Sequence, residues 1–322
     1  MTRLTSSLLV GLLPALLLFA CEADPTGYAV RDGYLTGADG ARLYYRTLGD
    51  GRETIVVVHG GPGAGMDSIL PSVEPLAESF TLVLYDQRGG GRSELPSDTD
   101  KLDAGFFVED LEAVRRHFRI ERMNVLAHSF GAVLVARYCE AHPERLARIV
   151  FHGATGPRRS EAARIQRAKA EVSPAIPGRL SERASELLQS LMEGTAADAV
   201  ATCREYEAIG RELAVARGEE VHYQGTTCRA PPEAVRYYYR YTAQLTPRSF
   251  GDWDFTRGLE EVFAPLLVVY GEDDPVGVPA QREWAEAVPN GRLLLVPDAG
   301  KAALSDNPEL TLAAVERFFR GD

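Results

Sequence analysis

Residues 123–138 constrain the fold more than any other stretch of the chain. A short apolar run ends at Ser129 and passes directly into a helical pattern, which predicts a strand, a tight turn and a helix. A serine on such a turn lies above the end of a sheet, and small residues two positions before and after it let the crossing backbones approach. Ala127 and Gly131 occupy these positions. The same pattern fits a serine that only caps a helix, so the interpretation depends on the rest of the chain.

Two other loops also follow apolar, strand-like runs. Residues 54–58 lead into His-Gly-Gly-Pro-Gly (59–63), whose backbone N–H groups suit the stabilisation of an oxyanion. Residues 265–270 lead into Gly-Glu-Asp-Asp-Pro (271–275), a loop of the kind that carries the acid of a catalytic triad. Without the serine turn, a plain Gly/Pro turn and an Asx turn explain these loops equally well.

Strand and helix patterns alternate along the chain. Strands are predicted at 81–85, 123–127 and 147–151, with helices at 103–119 and 129–141 between them. This alternation predicts an α/β fold with a parallel sheet covered by helices. A β-hairpin over 28–47 precedes it, and a last strand at 291–297 and a helix at 305–320 close it.

Length and charge bound the class of protein. With 322 residues the chain is long enough for one large α/β domain with an insertion. Its formal net charge of −11 argues against a nucleic-acid partner and suits a soluble enzyme body.

The N-terminal residues 1–20 have the pattern of a signal peptide, with Arg3 before an apolar core. The sequence that ends this segment, Leu-Phe-Ala-Cys (18–21), resembles a bacterial lipobox, so Cys21 is the expected lipidated N-terminus and membrane anchor. Glu22 fits sorting to the outer membrane of the bacterial cell envelope. The alternative is ordinary signal cleavage that leaves an unmodified cysteine.

Residues 155–250 break the alternation and are predicted to form a helical lid, with helices at 182–192, 196–213 and 232–245. Cys203 and Cys228 both lie in the lid, and two cysteines of an exported protein are expected to form a disulfide. Cys139 is expected to be a buried thiol. A metal site is not expected, because His222 alone near the two cysteines does not complete a ligand set.

Three motifs in this order resemble the proline iminopeptidase group of α/β-hydrolases: the loop 59–63, Asp-Gln-Arg-Gly-x-Gly-Arg-Ser at 86–93, and the serine turn. The resemblance implies an α/β-hydrolase fold, with a mostly parallel sheet flanked by helices in a core of residues 21–154 and 251–322 and an inserted lid at 155–250. It also implies a serine hydrolase that releases the N-terminal residue of short peptides without a cofactor.

The resemblance assigns roles to individual residues. Ser129 is the implied nucleophile, Asp274 the triad acid, and the N–H groups of Gly61 and Phe130 the implied oxyanion donors. In the lid, the segment 204–207 is similar to the family motif whose acidic residue receives the substrate's amino terminus.

The resemblance implies that Glu207, or as a second choice Glu205, binds the amino terminus of the substrate. A solvated helix face explains the two acids as well.

Lys301 departs from the family pattern, because it stands where the catalytic histidine is expected in the loop 297–304. An unperturbed lysine is neutral in only about one molecule in 2,500 at pH 7, a cost of about 4.6 kcal/mol for reaching the basic form. An adjacent Asp274 favours the charged form further. Among the other histidines, His152 follows the sixth strand at the correct edge of the sheet and is the one candidate for a replacement base.

Three functions therefore stay open from the sequence. The first is an aminopeptidase-like serine hydrolase impaired by Lys301. The second is a catalytically silent homologue that binds a peptide or another small ligand, since loss of the base typically costs about a million-fold in turnover. The third is a broad esterase, which would not need an amine-binding acid such as Glu207.

We predict that the mature protein begins at a lipid-modified Cys21, because the lipobox-like residues follow an apolar core of signal-peptide length. Mass spectrometry of the membrane fraction measures this directly. An unmodified N-terminus at another residue would remove the lipid anchor and leave the prediction of export intact.

Overall fold

The computed structural model describes residues 27–171, 178–216, 221–274 and 277–322. The predicted signal segment and Cys21 lie outside these residues. No helix in the described ranges has the length and apolar character needed to cross a membrane.

The described residues contain an eight-stranded sheet. Its strands are β1 (Val30–Thr36), β2 (Arg42–Leu48), β3 (Thr54–Val58), β4 (Thr81–Tyr85), β5 (Met123–His128), β6 (Leu146–His152), β7 (Leu266–Gly271) and β8 (Gly291–Val296). The spatial order is β1-β2-β4-β3-β5-β6-β7-β8. The hairpin β1–β2 is antiparallel and meets β4 antiparallel, whereas β4, β3 and β5 to β8 pair in parallel.

Helices flank the sheet and form the lid. They are α1 (Leu70–Val73), α2 (Ala104–His117), α3 (Gly131–Ala141), α4 (Arg159–Glu171), α5 (Gly178–Glu193), α6 (Ala199–Ala216), α7 (Pro232–Tyr237), α8 (Ala243–Ser249), α9 (Val278–Glu286), α10 (Ala303–Asp306) and α11 (Pro308–Arg320). A π-helical turn joins α7 to α8.

Strand β3 shows why the central strands are continuously apolar. Val56 belongs to a core cluster that includes Phe107 of α2, and Ile55 belongs to the cluster on the other face, which includes Phe319 of α11. Because alternate side chains of a strand point to opposite faces, a strand covered by helices on both sides must be apolar at every position. The predicted α/β-hydrolase fold, with a mostly parallel sheet flanked by helices, is confirmed.

The last predicted helix differs from the structure. The expected helix at 305–320 is two helices, α10 and α11, that are separated at Asn307. Asn307 has φ −134° and ψ 72°, outside the helical region, because a residue before proline is disfavoured there. Pro308 then starts α11, where its missing N–H costs no hydrogen bond.

The lid has its own small core between α5, α6 and the helical segment that starts at α7. Leu191, Cys203, Cys228, Val235 and Tyr239 are buried together there. Cys203 and Cys228 form a disulfide with their Cα atoms 5.7 Å apart, as predicted, and Cys139 is the buried free thiol expected on α3.

We predict that replacing both Cys203 and Cys228 by alanine lowers the stability of the lid by about 3 kcal/mol, because the disulfide closes a loop of 25 residues in the unfolded chain. Urea unfolding followed by near-ultraviolet circular dichroism measures the change. A reductant should destabilise the parent protein and have no effect on the double variant. Equal unfolding midpoints for the oxidised parent and the double variant would contradict the prediction.

Candidate active site

Ser129 lies on a strained turn at the carboxyl edge of the sheet, between β5 and α3. Its φ is +53°, a left-handed conformation that non-glycine residues seldom adopt. The turn is held by two hydrogen bonds, from Ser129 N–H to the His152 carbonyl (3.1 Å) and from Thr155 N–H to the Ser129 carbonyl (3.0 Å). A Cβ atom at Gly131 would lie 2.5 Å from the Val58 carbonyl oxygen, so only glycine allows α3 to start this close to β3. These contacts lift the Ser129 hydroxyl above the sheet.

The loop after β3 passes beside Ser129. A Cβ atom at Gly60 would lie 2.9 Å from the Ser129 Cβ atom and 3.5 Å from its Oγ. His59 holds this backbone, because its Nδ1 is 2.8 Å from the Gly60 carbonyl and its Nε2 accepts the N–H of Gln87 at 3.0 Å. Since Nε2 accepts, the neutral ring carries its proton on Nδ1 and donates it to Gly60. The peptide bond between Gly60 and Gly61 is trans, so the Gly61 N–H points opposite to the Gly60 carbonyl. Because that carbonyl faces His59, the Gly61 N–H points away from His59.

Phe130 is the N-cap residue of α3, directly after Ser129. The first N–H groups of a helix have no intrahelical acceptor and attract negative charge. Of the two predicted oxyanion donors, Phe130 follows Ser129 directly, and Gly61 follows Gly60, which lies close to Ser129.

Lys301 reaches Ser129 from the loop after β8. Its Nζ atom donates a hydrogen bond to Ser129 Oγ at 3.2 Å. The loop is held against the end of β7, where Gly271 N–H donates to the Gly300 carbonyl at 3.0 Å. A Cβ atom at Gly271 would lie 1.8 Å from the Ala299 carbonyl oxygen, so glycine is required for this approach.

Asp274 lies three residues after β7, in the loop that adjoins the Lys301 loop. One carboxylate oxygen accepts the Tyr270 hydroxyl at 2.7 Å, and the other accepts the Gly277 N–H at 3.3 Å. Burial and the Asp274 carboxylate raise the pKa of Tyr270, which therefore keeps the proton that it donates. Asp273 is exposed, whereas Asp274 is half-buried. This difference supports Asp274 as the acid, and sequence reasoning had missed Tyr270 as its partner.

His152 does not face Ser129 as a base. Its Nε2 accepts the Leu304 N–H at 3.1 Å, so its proton is on Nδ1, which donates to His128 Nδ1 at 3.1 Å. Burial and the charge of Lys301 lower the pKa of His152 to about 3. Burial, His152 and Lys301 lower the pKa of His128 as well. The two neutral rings join the serine turn to α10, a role that the sequence did not reveal.

The two lid acids are bonded to other lid residues. The exposed carboxylate of Glu205 accepts two hydrogen bonds from Arg183, at 2.8 and 3.1 Å. The carboxylate of Glu207 accepts the Thr226 hydroxyl at 2.6 Å and the N–H and hydroxyl of Thr227 at 3.0 and 2.9 Å. Neither set of contacts includes Ser129 or Lys301.

Within the described ranges, one group of side chains resembles a metal site. Ligand atoms of Cys203, Glu207 and Cys228 lie within 4.8 Å of one another. The two sulfur atoms are bonded to each other, so neither offers the thiolate that a metal ion requires.

Two cavities lie near these residues. A small one of about 40 Å³ adjoins Lys301 and Tyr270. A larger one of about 730 Å³ lies on the lid side, lined by Glu207, Tyr223 and other lid residues together with Ser305 of α10. The larger volume is in the range of small-ligand sites.

Comparison with known proteins agrees with this geometry. The family model described as alpha/beta hydrolase fold matches residues 53–308. A proline iminopeptidase of Heyndrickxia coagulans is 24% identical over 87% of this chain and 95% of that protein. A probable proline iminopeptidase of Streptomyces coelicolor is 28% identical over 90% of this chain and 95% of that protein. The crystal structure of a Mycobacterium smegmatis proline iminopeptidase covers 90% of this chain and 98% of its own, with a TM-score of 0.65 at 20% identity.

Because the imidazoles of His59 and His152 are buried and neutral, we predict that the free energy of unfolding falls in acid. Burial lowers the pKa of His59 to about 4 and that of His152 to about 3, from 6.5 in the unfolded chain. Below pH 6.5 the unfolded chain therefore binds more protons than the folded one, and the free energy of unfolding falls as the pH falls. At pH 4.5 we expect each of these histidines to account for a loss of about 2.5 kcal/mol.

Urea unfolding at pH 7 and pH 4.5 measures this loss. The variant His152→Gln should lose less stability between the two pH values than the parent, whereas the matched variant His117→Gln, at an exposed position, should behave like the parent. An unchanged pH dependence in His152→Gln would contradict the assignment.

Proposed function

The chain belongs to the alpha/beta hydrolase fold family, and we propose that it is a serine hydrolase that releases the N-terminal residue of short peptides, with a turnover that Lys301 restricts. The observation that carries this proposal is the 3.2 Å contact between Lys301 Nζ and Ser129 Oγ. This contact supports the proposal because the general base of a triad lies within hydrogen-bond reach of the serine hydroxyl.

The proposed reaction starts when Ser129 Oγ attacks the carbonyl carbon of the first peptide bond. The hydroxyl proton moves to the neutral amine of Lys301, and the N–H groups of Gly61 and Phe130 stabilise the oxyanion. Lys301 then gives the proton to the departing amine, which leaves an ester on Ser129. Water hydrolyses this ester with the same base, and the first residue is released.

Lys301 restricts this cycle because its protonated form donates to Ser129 Oγ and cannot accept the hydroxyl proton. The neutral form of an unperturbed lysine is scarce near pH 7. The carboxylate of Asp274, in the adjoining loop, is suited to orient an imidazole and instead favours an ammonium ion. The protein keeps the nucleophile and the backbone around it, and lacks an efficient base.

The names of the relatives support a peptide substrate, since curated proteins that align over most of this chain are described as proline iminopeptidases. The cavity of about 730 Å³ has room for a short peptide.

A second candidate is a catalytically silent protein that binds a ligand in the same place. It is favoured by His152, because both ring nitrogens are already engaged and no second base replaces Lys301 there. The experiment below separates the two candidates.

We also propose that the protein acts outside the cytoplasm. The Cys203–Cys228 disulfide supports this location, because such bonds persist in oxidising compartments. The signal-like residues 1–20 point in the same direction.

We predict that Lys301→His raises the hydrolysis of a chromogenic prolyl amide by several orders of magnitude near pH 7, because imidazole is largely neutral there and takes the serine proton. Adding Ser129→Ala to that variant should abolish the gain. A fluorophosphonate probe should label Ser129 faster in Lys301→His than in the parent.

The pH dependence of hydrolysis by the parent protein tests whether Lys301 itself acts as the base. Weak, Ser129-dependent activity that rises towards pH 10 supports Lys301 as the base, because the base acts only after losing its proton. Efficient turnover by the parent at pH 7, reduced by Lys301→His, would show that Lys301 is a tuned base and overturn the proposal of a restricted site. No Ser129-dependent turnover in either protein would favour the silent homologue.

A further inference from the structure

The large cavity lies between the lid and the core. Its walls are formed by α6, by the lid segment 221–229 and by Ser305 of α10. Ser305 is fixed by a hydrogen bond of 2.8 Å between its hydroxyl and that of Ser72. The cavity therefore has one wall that belongs to the lid and another that belongs to the core.

The cavity adjoins the serine turn. Tyr223, which lines it, stacks on the ring of His128 with the ring centroids 6.2 Å apart and an angle of 24° between the planes. His128 precedes Ser129, and α10 begins two residues after Lys301. The ring of Tyr223 thus separates a ligand in the cavity from the serine turn.

Three arginines make the lining positive. Arg204 and Arg211 are seven residues apart on α6 and so share one face of that helix, and Arg229 comes from the facing segment. In the parts of the chain that the structure describes, no hydrogen bond or ion pair engages these three guanidinium groups.

Glu207 is the acidic residue of this lining, and its carboxylate already accepts three hydrogen bonds from Thr226 and Thr227. Three of the roughly four acceptor sites of this carboxylate are therefore already used within the lid. In a chain with a net charge of −11, this lining is suited to an anion.

We propose that the cavity binds the free C-terminal carboxylate of a short peptide whose first peptide bond lies at Ser129. Guanidinium groups bind carboxylates through paired, charge-assisted hydrogen bonds. Because the cavity adjoins the serine turn, a carboxylate held there is separated from the scissile bond by few residues. The site selects short peptides with a free C-terminus over amidated ones. The identity of the ligand as a peptide rests on the proposed function; the preference for an anion rests on the arginines.

Binding to the full-length Ser129→Ala protein tests this inference without turnover. Calorimetry with Pro-Gly-Gly as the free acid and as the C-terminal amide should show about tenfold tighter binding of the acid, the effect of a charge-assisted hydrogen bond. Arg204→Gln and Arg229→Gln should each reduce this preference several-fold, and high salt should weaken it. The matched control is Arg236→Gln, an exposed lid arginine that donates to the Ala197 carbonyl at 2.9 Å and does not line the cavity. It should leave the preference unchanged.

Three results would overturn the inference: equal affinities for acid and amide, a preference that both arginine variants retain, and no binding of either peptide. Inorganic phosphate is the further probe. Phosphate binding that depends on Arg204 and Arg229, together with no preference for the peptide acid, would show an anion site for another ligand and overturn the peptide assignment. Thermal unfolding midpoints close to the parent's show that the variants are folded. Failure of the proposed hydrolysis would appear only in the turnover assays with Lys301→His and would not alter these affinities.

Discussion

The left-handed backbone at Ser129 is the constraint on which the rest of the site depends. A non-glycine residue holds this conformation only when its surroundings determine it, and here the close contact of Gly131 with β3 and the hydrogen bond to the His152 carbonyl do so. The turn places a hydroxyl above the carboxyl edge of a parallel sheet. The loops after β3, β7 and β8 end at the same edge, so one strained residue organises four loops into one site.

The chemistry of the site depends on the side chain at position 301. The loop after β8 is held against β7 by backbone hydrogen bonds that do not depend on the side chain at 301, and it presents Lys301 to Ser129. Its charge then acts on its surroundings, and together with burial it keeps His128 and His152 neutral. Ser129 thus lies beside an amine that, when protonated, donates a hydrogen bond to the hydroxyl oxygen and cannot accept its proton.

The lid has a different electrostatic character from the one that the family resemblance implies. Glu205 is paired with Arg183, and Glu207 is bonded to the lid threonines, so both acids contribute to the lid's own structure. The arginines that line the cavity have no hydrogen-bond or ion-pair partner among the residues that the structure describes. The sequence alone does not distinguish acids and arginines that stabilise the lid from those that face a cavity. The hydrogen-bond partners of each side chain in the folded lid make this distinction.

The sequence by itself determined the sheet and the position of the serine turn. The bounds of β3 and β4 are those predicted, because strands buried on both faces are continuous apolar runs, and the turn at Ser129 is marked by the small residues around it. The disulfide was also predicted, from the position of Cys203 and Cys228 in one lid and from the signal-like N-terminal residues. The contact of Lys301 with Ser129, the His128–His152 pair, the partners of Glu207 and the cationic cavity were decided only by the tertiary structure. Each of these contacts joins residues that are far apart in the chain. The packing of loops and helices determines which residues meet, and a local sequence pattern does not predict that packing.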